Sequence, residues 1–343
     1  MKRTFLATCI VASLLTSCSK DDDTDTQPAF KVYAAFNESA TAQGYDYVGR
    51  VWKDGTVSNL ISSYSVSGFF VDGNDVYASG SKSFADGSSV VLLWKNGKAD
   101  TLAKTISQAT SAAIWVANKD VYVTGSVYQK ETKSVVAKVW KNGVATNISD
   151  GQYLATATDI MVAGSDVYVT GREATAPNGQ KNVAKIWKNG KGVALTDATF
   201  YASAETVFVS GNDVYAGGFE ANSIDKTVAK IWKNQSPITL TDGTNNAFVS
   251  DLFVNGNDVY ACGSEEIGRY SKAMVWKNGV ATALTDGTNK AQASYIVIKD
   301  GDVYVLGYEK EGNIDVVKLW KNGKATALSD PTKNGIGEGL FVK

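Results

Sequence analysis

The chain has 343 residues, 34 basic against 35 acidic side chains, 44% hydrophobic residues and no histidine. Near-neutrality leaves no basic field for nucleic acid. The missing imidazole excludes Ser-His-Asp and Cys-His machinery, His-ligated zinc and two-histidine iron sites.

At the start, Lys2 and Arg3 precede an apolar run from Phe5 to Leu15 that is too short for a permanent membrane helix, which predicts a cleaved export signal over 1–17. Leu15-Thr16-Ser17-Cys18 resembles the lipobox of bacterial lipoproteins, which implies acylation of Cys18 as the first mature residue. Residues 18–29 then read as a lipidated cysteine and an acidic tether. Its Ser19-Lys20-Asp21-Asp22-Asp23 stretch is similar to the signal that carries some lipoproteins across the outer membrane. The expected location is the outer membrane, surface-exposed, with a periplasm-facing orientation as the alternative. Residues 19–29 are nearly devoid of apolar side chains and would reach about 15 to 20 Å as a random coil. Membrane contact is expected through the N-terminal lipid only.

Residues 30–343 carry a repeat. Trp-Lys-Asn-Gly or a close variant begins at Trp52, Trp94, Trp140, Trp187, Trp232, Trp276 and Trp320, at intervals of 42 to 47 residues. Such a period, filled with short apolar runs and tight turns, is that of propeller blades, because one twisted sheet buries both its faces only when neighbours stack on it. Within a repeat, an apolar run such as Ala113-Ile114-Trp115-Val116 reads as a doubly buried innermost strand. The Asp-Val-Tyr segments at Asp75, Asp120, Asp166, Asp213, Asp258 and Asp302 open a second strand. The tryptophan lies on the third, and Asn-Gly turns the chain into the fourth.

Lys31-Val32-Tyr33 is a second strand without a first, and Gly339-Leu340-Phe341-Val342 is a first strand without a second. The expectation is therefore an all-β, seven-bladed β-propeller of four-stranded antiparallel blades. Its ring is closed by the C-terminal strand pairing with the N-terminal blade. The tryptophans are expected to pack between blades. Aromatic, glycine and tryptophan in one blade resemble the kelch arrangement, but the paired glycines of kelch and the Trp-Asp end of the WD repeat are both absent. The resemblance spans residues 30–343 and implies architecture, a surface lipoprotein propeller, with no functional residue carried across.

The Tyr-to-Trp separation runs from 16 to 19 residues while the Trp-to-fourth-strand spacing is constant at eight, so length variation gathers in the loop between second and third strands. Loops that vary on a rigid scaffold are where binding usually resides. The candidate ligand-binding aromatics of that face are Tyr64, Tyr128, Tyr153, Tyr201, Phe248, Tyr270, Tyr295 and Tyr308, joined by Phe200. Asp159, Glu205, Asp251 and Glu338 lie near inner-strand entries and are expected to ring one mouth of the central channel. No calcium-loop pattern accompanies them, so no metal and no cofactor is expected.

Glu38, Glu173, Glu220 and Glu309 accompany Arg50, Lys185, Lys230 and Lys318 and are expected to form cross-strand ion pairs. Cys262 takes the slot held by Ser79, Thr124, Thr170, Gly217 and Leu306 in other repeats, and reads as a small core filler. Taken together, these features favour a cell-surface, non-enzymatic binding or interaction propeller, monomeric, holding a glycan, peptide or partner protein on the variable-loop face. The alternatives are a carbohydrate-active enzyme with paired carboxylates on that face, and a structural subunit of an outer-membrane assembly.

Overall fold

Seven four-stranded antiparallel sheets follow one another around a ring, and the ring closes where the sequence places the closure. The computed structural model describes residues 31–41, 47–61, 64–177, 179 and 181–343. The signal segment, Cys18 and the acidic tether lie outside the described residues. Blade 1 is composite: Gly335–Val342 pairs antiparallel with Val32–Ser39, which pairs with Tyr47–Lys53 and then Thr56–Ile61. The innermost strands of blades 2 to 7 are Ser65–Asp72, Ala109–Ala117, Ala155–Ala163, Ala202–Ser210, Ala247–Asn255 and Ala291–Lys299. No helix occurs among the described residues.

Packing runs from blade to blade. Trp140, Trp187, Trp232, Trp276 and Trp320 are among the most deeply buried side chains, and Trp94 is nearly so. Each joins a cluster built from its own blade and its neighbour; Trp187, for instance, packs with Ala155, Ile160, Val169 and Tyr122. Trp52, in the composite blade, is only half-buried.

The repeat's other letters meet at the turn end of each blade. In blade 3, Asn142 accepts from the Val121 amide through Oδ1 at 2.9 Å and donates to Asp120 Oδ1 at 2.7 Å. Lys141 pairs with Asp120 at 2.8 Å and lies 5.3 Å above the Tyr122 ring. The same four side chains make the same set in blades 2, 4, 5, 6 and 7. Asp-Val-Tyr and Trp-Lys-Asn-Gly are thus two halves of one tie between adjacent turns. Asn142 and Gly143 both have positive φ, 50° and 83°, as the tight hairpin requires. In blade 5 the second position is Gln235, held at 74°.

The inner strands differ from the doubly buried expectation. Their burial alternates, as in Ala155–Ala163, where residues wedged between blades are covered and those in between face the ring axis. Each strand also carries a bulge near its middle, which sets one residue out of register with its partner strand. The bulged residues are Glu338, Ser67, Ala112, Thr158, Glu205, Ser250 and Ser294 in blades 1 to 7. A bulge kinks the strand and re-aims side chains, and here it sets the bulged residue toward the axis and the one after it toward the next blade.

Candidate site: the central channel

The inner strands enclose a cavity of about 1040 Å³ whose lining comes from all seven blades. It begins at the variable-loop end with Phe248, Gln292 and Ile336 and continues to Ile298, Lys299 and Val342 near the turn end. Three levels can be distinguished along it.

At the variable-loop end, Tyr201 stacks on Phe219 with ring centroids 5.7 Å apart, and the Arg172 guanidinium lies 5.5 Å over Tyr201 while donating to its hydroxyl. Arg172 sits at the wall beside Thr156, its strand partner. At the turn end, Phe341, Phe70, Trp115, Phe208 and Phe253 form an aromatic collar. Centroid distances within it are 5.3 Å for Phe70–Phe341, 5.1 Å for Phe70–Trp115 and 4.9 Å for Phe208–Phe253. The rings tilt rather than stack flat, the arrangement that aromatic quadrupoles favour.

The middle level holds the chemistry. Asp159, Glu205, Asp251 and Glu338 all line the channel. They do not ring its mouth, as their place in the sequence predicted. They sit at the fourth or fifth position of the inner strands, about halfway down, because the bulges are there. They are also two different kinds of residue. Glu205 and Glu338 occupy the bulge itself, and Asp159 and Asp251 the position after it, which points toward the next blade.

Asp159 accepts from the amides of Ile160 at 2.8 Å and Val207 at 2.9 Å, the second in blade 5. Asp251 accepts from Leu252 at 2.8 Å and from Ile296 of blade 7 at 2.9 Å. Two carboxylates thereby satisfy four backbone donors freed at the inner edge of blades 4 to 7. Burial by the surrounding blades nevertheless pushes the Asp159 carboxyl up to about 6 and that of Asp251 to about 7, against which the amide bonds act only in part. Glu338, half-buried in the wall, accepts from Asn37 Nδ2 at 2.8 Å, and desolvation outweighs that bond to raise its carboxyl to about 8. Glu205 is likewise raised by burial, with Ser203 and the charge of Arg172 opposing.

Tyr295 completes the wall. Sequence reading placed it among loop aromatics, but it occupies the position after the bulge in blade 7, equivalent to Asp251 in blade 6. Burial and the carboxylates of Glu338, Asp251 and Asp159 hold its phenol well above the ordinary range. The same position carries Gly339, Gly68, Ala113, Asp159, Thr206, Asp251 and Tyr295 around the ring. At this position blades 4 to 7 are therefore polar, and blades 1 to 3 are close to bare backbone.

Of the other aromatics, Phe248 borders the channel and Tyr201 stands at its rim. Tyr64 packs on Trp94 at 5.7 Å, Tyr270 lies under Arg269 at 4.9 Å, and Tyr308 is buried. Tyr128 and Tyr153 are half-buried in blade 3 and in the connection after it. The eight do not converge on one platform. Ser67, Thr158 and Thr206, which also shape the channel, carry no motif that would have singled them out.

The predicted cross-strand ion pairs form: Arg50–Glu38 at 3.2 Å and Lys318–Glu309 at 2.7 Å, with Lys185–Glu173 and Lys230–Glu220 alike. Cys262 is fully buried, and burial raises its thiol well above the ordinary value, which suits a filler and not a nucleophile. Among the described residues no three acidic or cysteine side chains converge as a metal ion would require.

No family model and no curated protein matches the chain. Solved structures do match, and the likeness is one of fold. The β-propeller domain of the trilobed protease from Pyrococcus furiosus superposes with a TM-score of 0.57 at 10% identity, over 88% of this chain and 92% of that one. The acylaminoacyl peptidase of Pyrococcus horikoshii gives 0.55 at 12% identity, over 88% of this chain and 51% of that one. A puromycin-hydrolyzing peptidase of Mycobacterium tuberculosis gives 0.54 at 13%, over 78% and 47%. The chain spans about half the length of the latter two. The Pyrococcus furiosus propeller is described as having an open velcro topology; here Gly335–Val342 closes the ring by pairing along Val32–Ser39.

These likenesses correct the functional expectation. The expectation of a non-enzymatic surface binder is not supported, since the solved structures that share this fold come from peptidases. The geometry agrees on one point: the candidate carboxylates are drawn inward to the channel wall, away from the variable loops, and the loop aromatics are scattered.

Proposed function

We propose that this chain is the propeller component of a peptide-hydrolysing system, a ring whose channel admits extended peptide segments to a hydrolase. The observation that carries the reading is the channel itself. A volume of about 1040 Å³, spread along inner strands of eight or nine residues rising about 3.3 Å each, is wide enough for an extended peptide and too narrow for a folded domain. With no histidine in the chain, a Ser-His-Asp centre has to come from elsewhere. As a kelch-like surface lipoprotein, the chain would be acylated at Cys18, and residues 19–29 would tether the ring to the outer membrane.

The test uses the full chain in its own cells. Gentle detergent extraction of the tagged protein should recover peptidase activity on acylated and free peptide substrates. Deletion of the gene should lower hydrolysis of peptides by intact cells, and the channel-filling double variant Ser67→Trp, Ala112→Trp should do so several-fold for ten-residue peptides and hardly at all for dipeptides. Unchanged hydrolysis in the deletion strain, with no activity in the extract, would overturn the proposal.

A further inference from the structure

Two carboxylates from different blades converge on one hydroxyl. Thr206 Oγ1, in blade 5, lies 2.9 Å from Asp251 Oδ1 of blade 6 and 3.2 Å from Asp159 Oδ2 of blade 4. A hydroxyl has one proton and can donate to one carboxylate only. The second approach is a hydrogen bond only if that carboxyl carries a proton of its own and donates it to the Thr206 oxygen. Both aspartates are half-buried in the channel wall and are pinned by backbone amides on either side of the seam. Neither aspartate has a lysine or arginine partner among the described residues.

We infer that Asp159, Thr206 and Asp251 hold one proton between them, and that this shared proton is a clasp joining blades 4, 5 and 6 at the channel wall. With it, the chain carboxyl–hydroxyl–carboxylate runs unbroken across two blade seams, and the Asp251 bond to Ile296 extends the tie to blade 7. Without it, two anions face one hydroxyl, with no lysine or arginine bonded to either among the described residues. Every titratable group turned toward the clasp favours retention of the proton. Tyr295 in blade 7, Cys262 in the second strand of blade 6, Glu205 in blade 5 and Glu338 in blade 1 are neutral or anionic, and Arg172 at the rim acts on Glu205. The upward displacement of both carboxyls, Asp251 partly through the charge of Asp159, is in keeping with this.

The pH dependence follows in sign. Unfolded aspartates release their protons near 4, whereas the folded pair keeps one to about 6 or 7. Between those values the folded ring binds more protons than the unfolded chain, so the clasp's stabilisation is full below about 4 and is lost as pH rises through 7. Glu205 and Glu338 slope the same way and have to be separated from it.

The experiment labels aspartate side-chain carboxyls with 13C in the full chain and assigns Asp159 and Asp251 from the Asp159→Asn and Asp251→Asn variants. The two signals should move together with a midpoint two to three pH units above that of free aspartate, and Thr206→Val should make them titrate separately. Melting temperatures from pH 5 to 9, in a Glu205→Gln, Glu338→Gln background, should fall with rising pH. That fall should be largely abolished by Asp251→Asn. Two carboxylates already ionised at pH 5, or coupled titration that persists in Thr206→Val, would overturn the clasp. Should either asparagine variant fail to fold, the Thr206→Val spectra alone decide.

Discussion

The turn end of the blades and the middle of the channel wall are built on opposite plans. At the turn end, six blades present the same aspartate, tyrosine, lysine and asparagine in the same bonds. At the channel wall, one structural position is filled by Gly339, Gly68, Ala113, Asp159, Thr206, Asp251 and Tyr295, nearly a different residue in each blade. A hairpin poses every blade the same local problem, a tight turn with two positive φ angles and exposed backbone donors, and one solution repeats. The axis of the ring occurs once, so the blades meet it with unequal contributions, and at this position blades 4 to 7 carry polar side chains where blades 1 to 3 carry only glycine or alanine.

That contrast can be broken from either side. The largest effect is expected where the repeat reaches the core: Trp187→Ala should cost about 3 to 5 kcal/mol, read as a lowered denaturation midpoint, with the channel acids unchanged in their titration. In the bare sector, a β-carbon on Gly68 would sit 2.6 Å from Ser79 Oγ and 2.9 Å from the Ile114 amide nitrogen of the next blade. Gly68→Val is therefore expected to destabilise by about 1 to 3 kcal/mol through overpacking, whereas the equivalent position of blade 5 already holds a β-branched Thr206. Equal tolerance of valine at 68 and 206 would mean that the two sectors are not sterically distinct. The smallest effect belongs to the one such turn that lacks the glycine. Gln235 adopts a φ of 74° that glycine takes in the other blades, and Gln235→Gly should raise stability by about 0.5 to 1 kcal/mol.

The repeat made the architecture legible because blade formation depends on short-range signals: Asn-Gly turns, apolar alternation and a period in the forties. Even the closure could be read, since the orphan strands at Lys31 and Gly339 complete each other. The site was less legible. Asp159, Glu205, Asp251 and Glu338 could be picked out as channel acids, but not their depth, because a bulge shifts register by one residue and leaves no composition signal. Nor could their division into two kinds be seen, one bonding the next blade and one facing the axis. Tyr295 was read as a loop aromatic for the same reason, and Tyr64 and Tyr308 looked like platform residues although they pack against the blades that carry them.

Seven blades, their strand order, the buried tryptophans and the cross-strand pairs of Glu38 with Arg50 and Glu309 with Lys318 were determined by the sequence alone. Each depends on residues close in the chain or equivalent by repeat. The asymmetric channel, and the meeting of Asp159 with Asp251 across the hydroxyl of Thr206, were decided only when the ring closed. Residues 45 to 47 apart in sequence become hydrogen-bond neighbours there because each blade turns its inner edge to a common axis, and no local pattern encodes which side chains will share it.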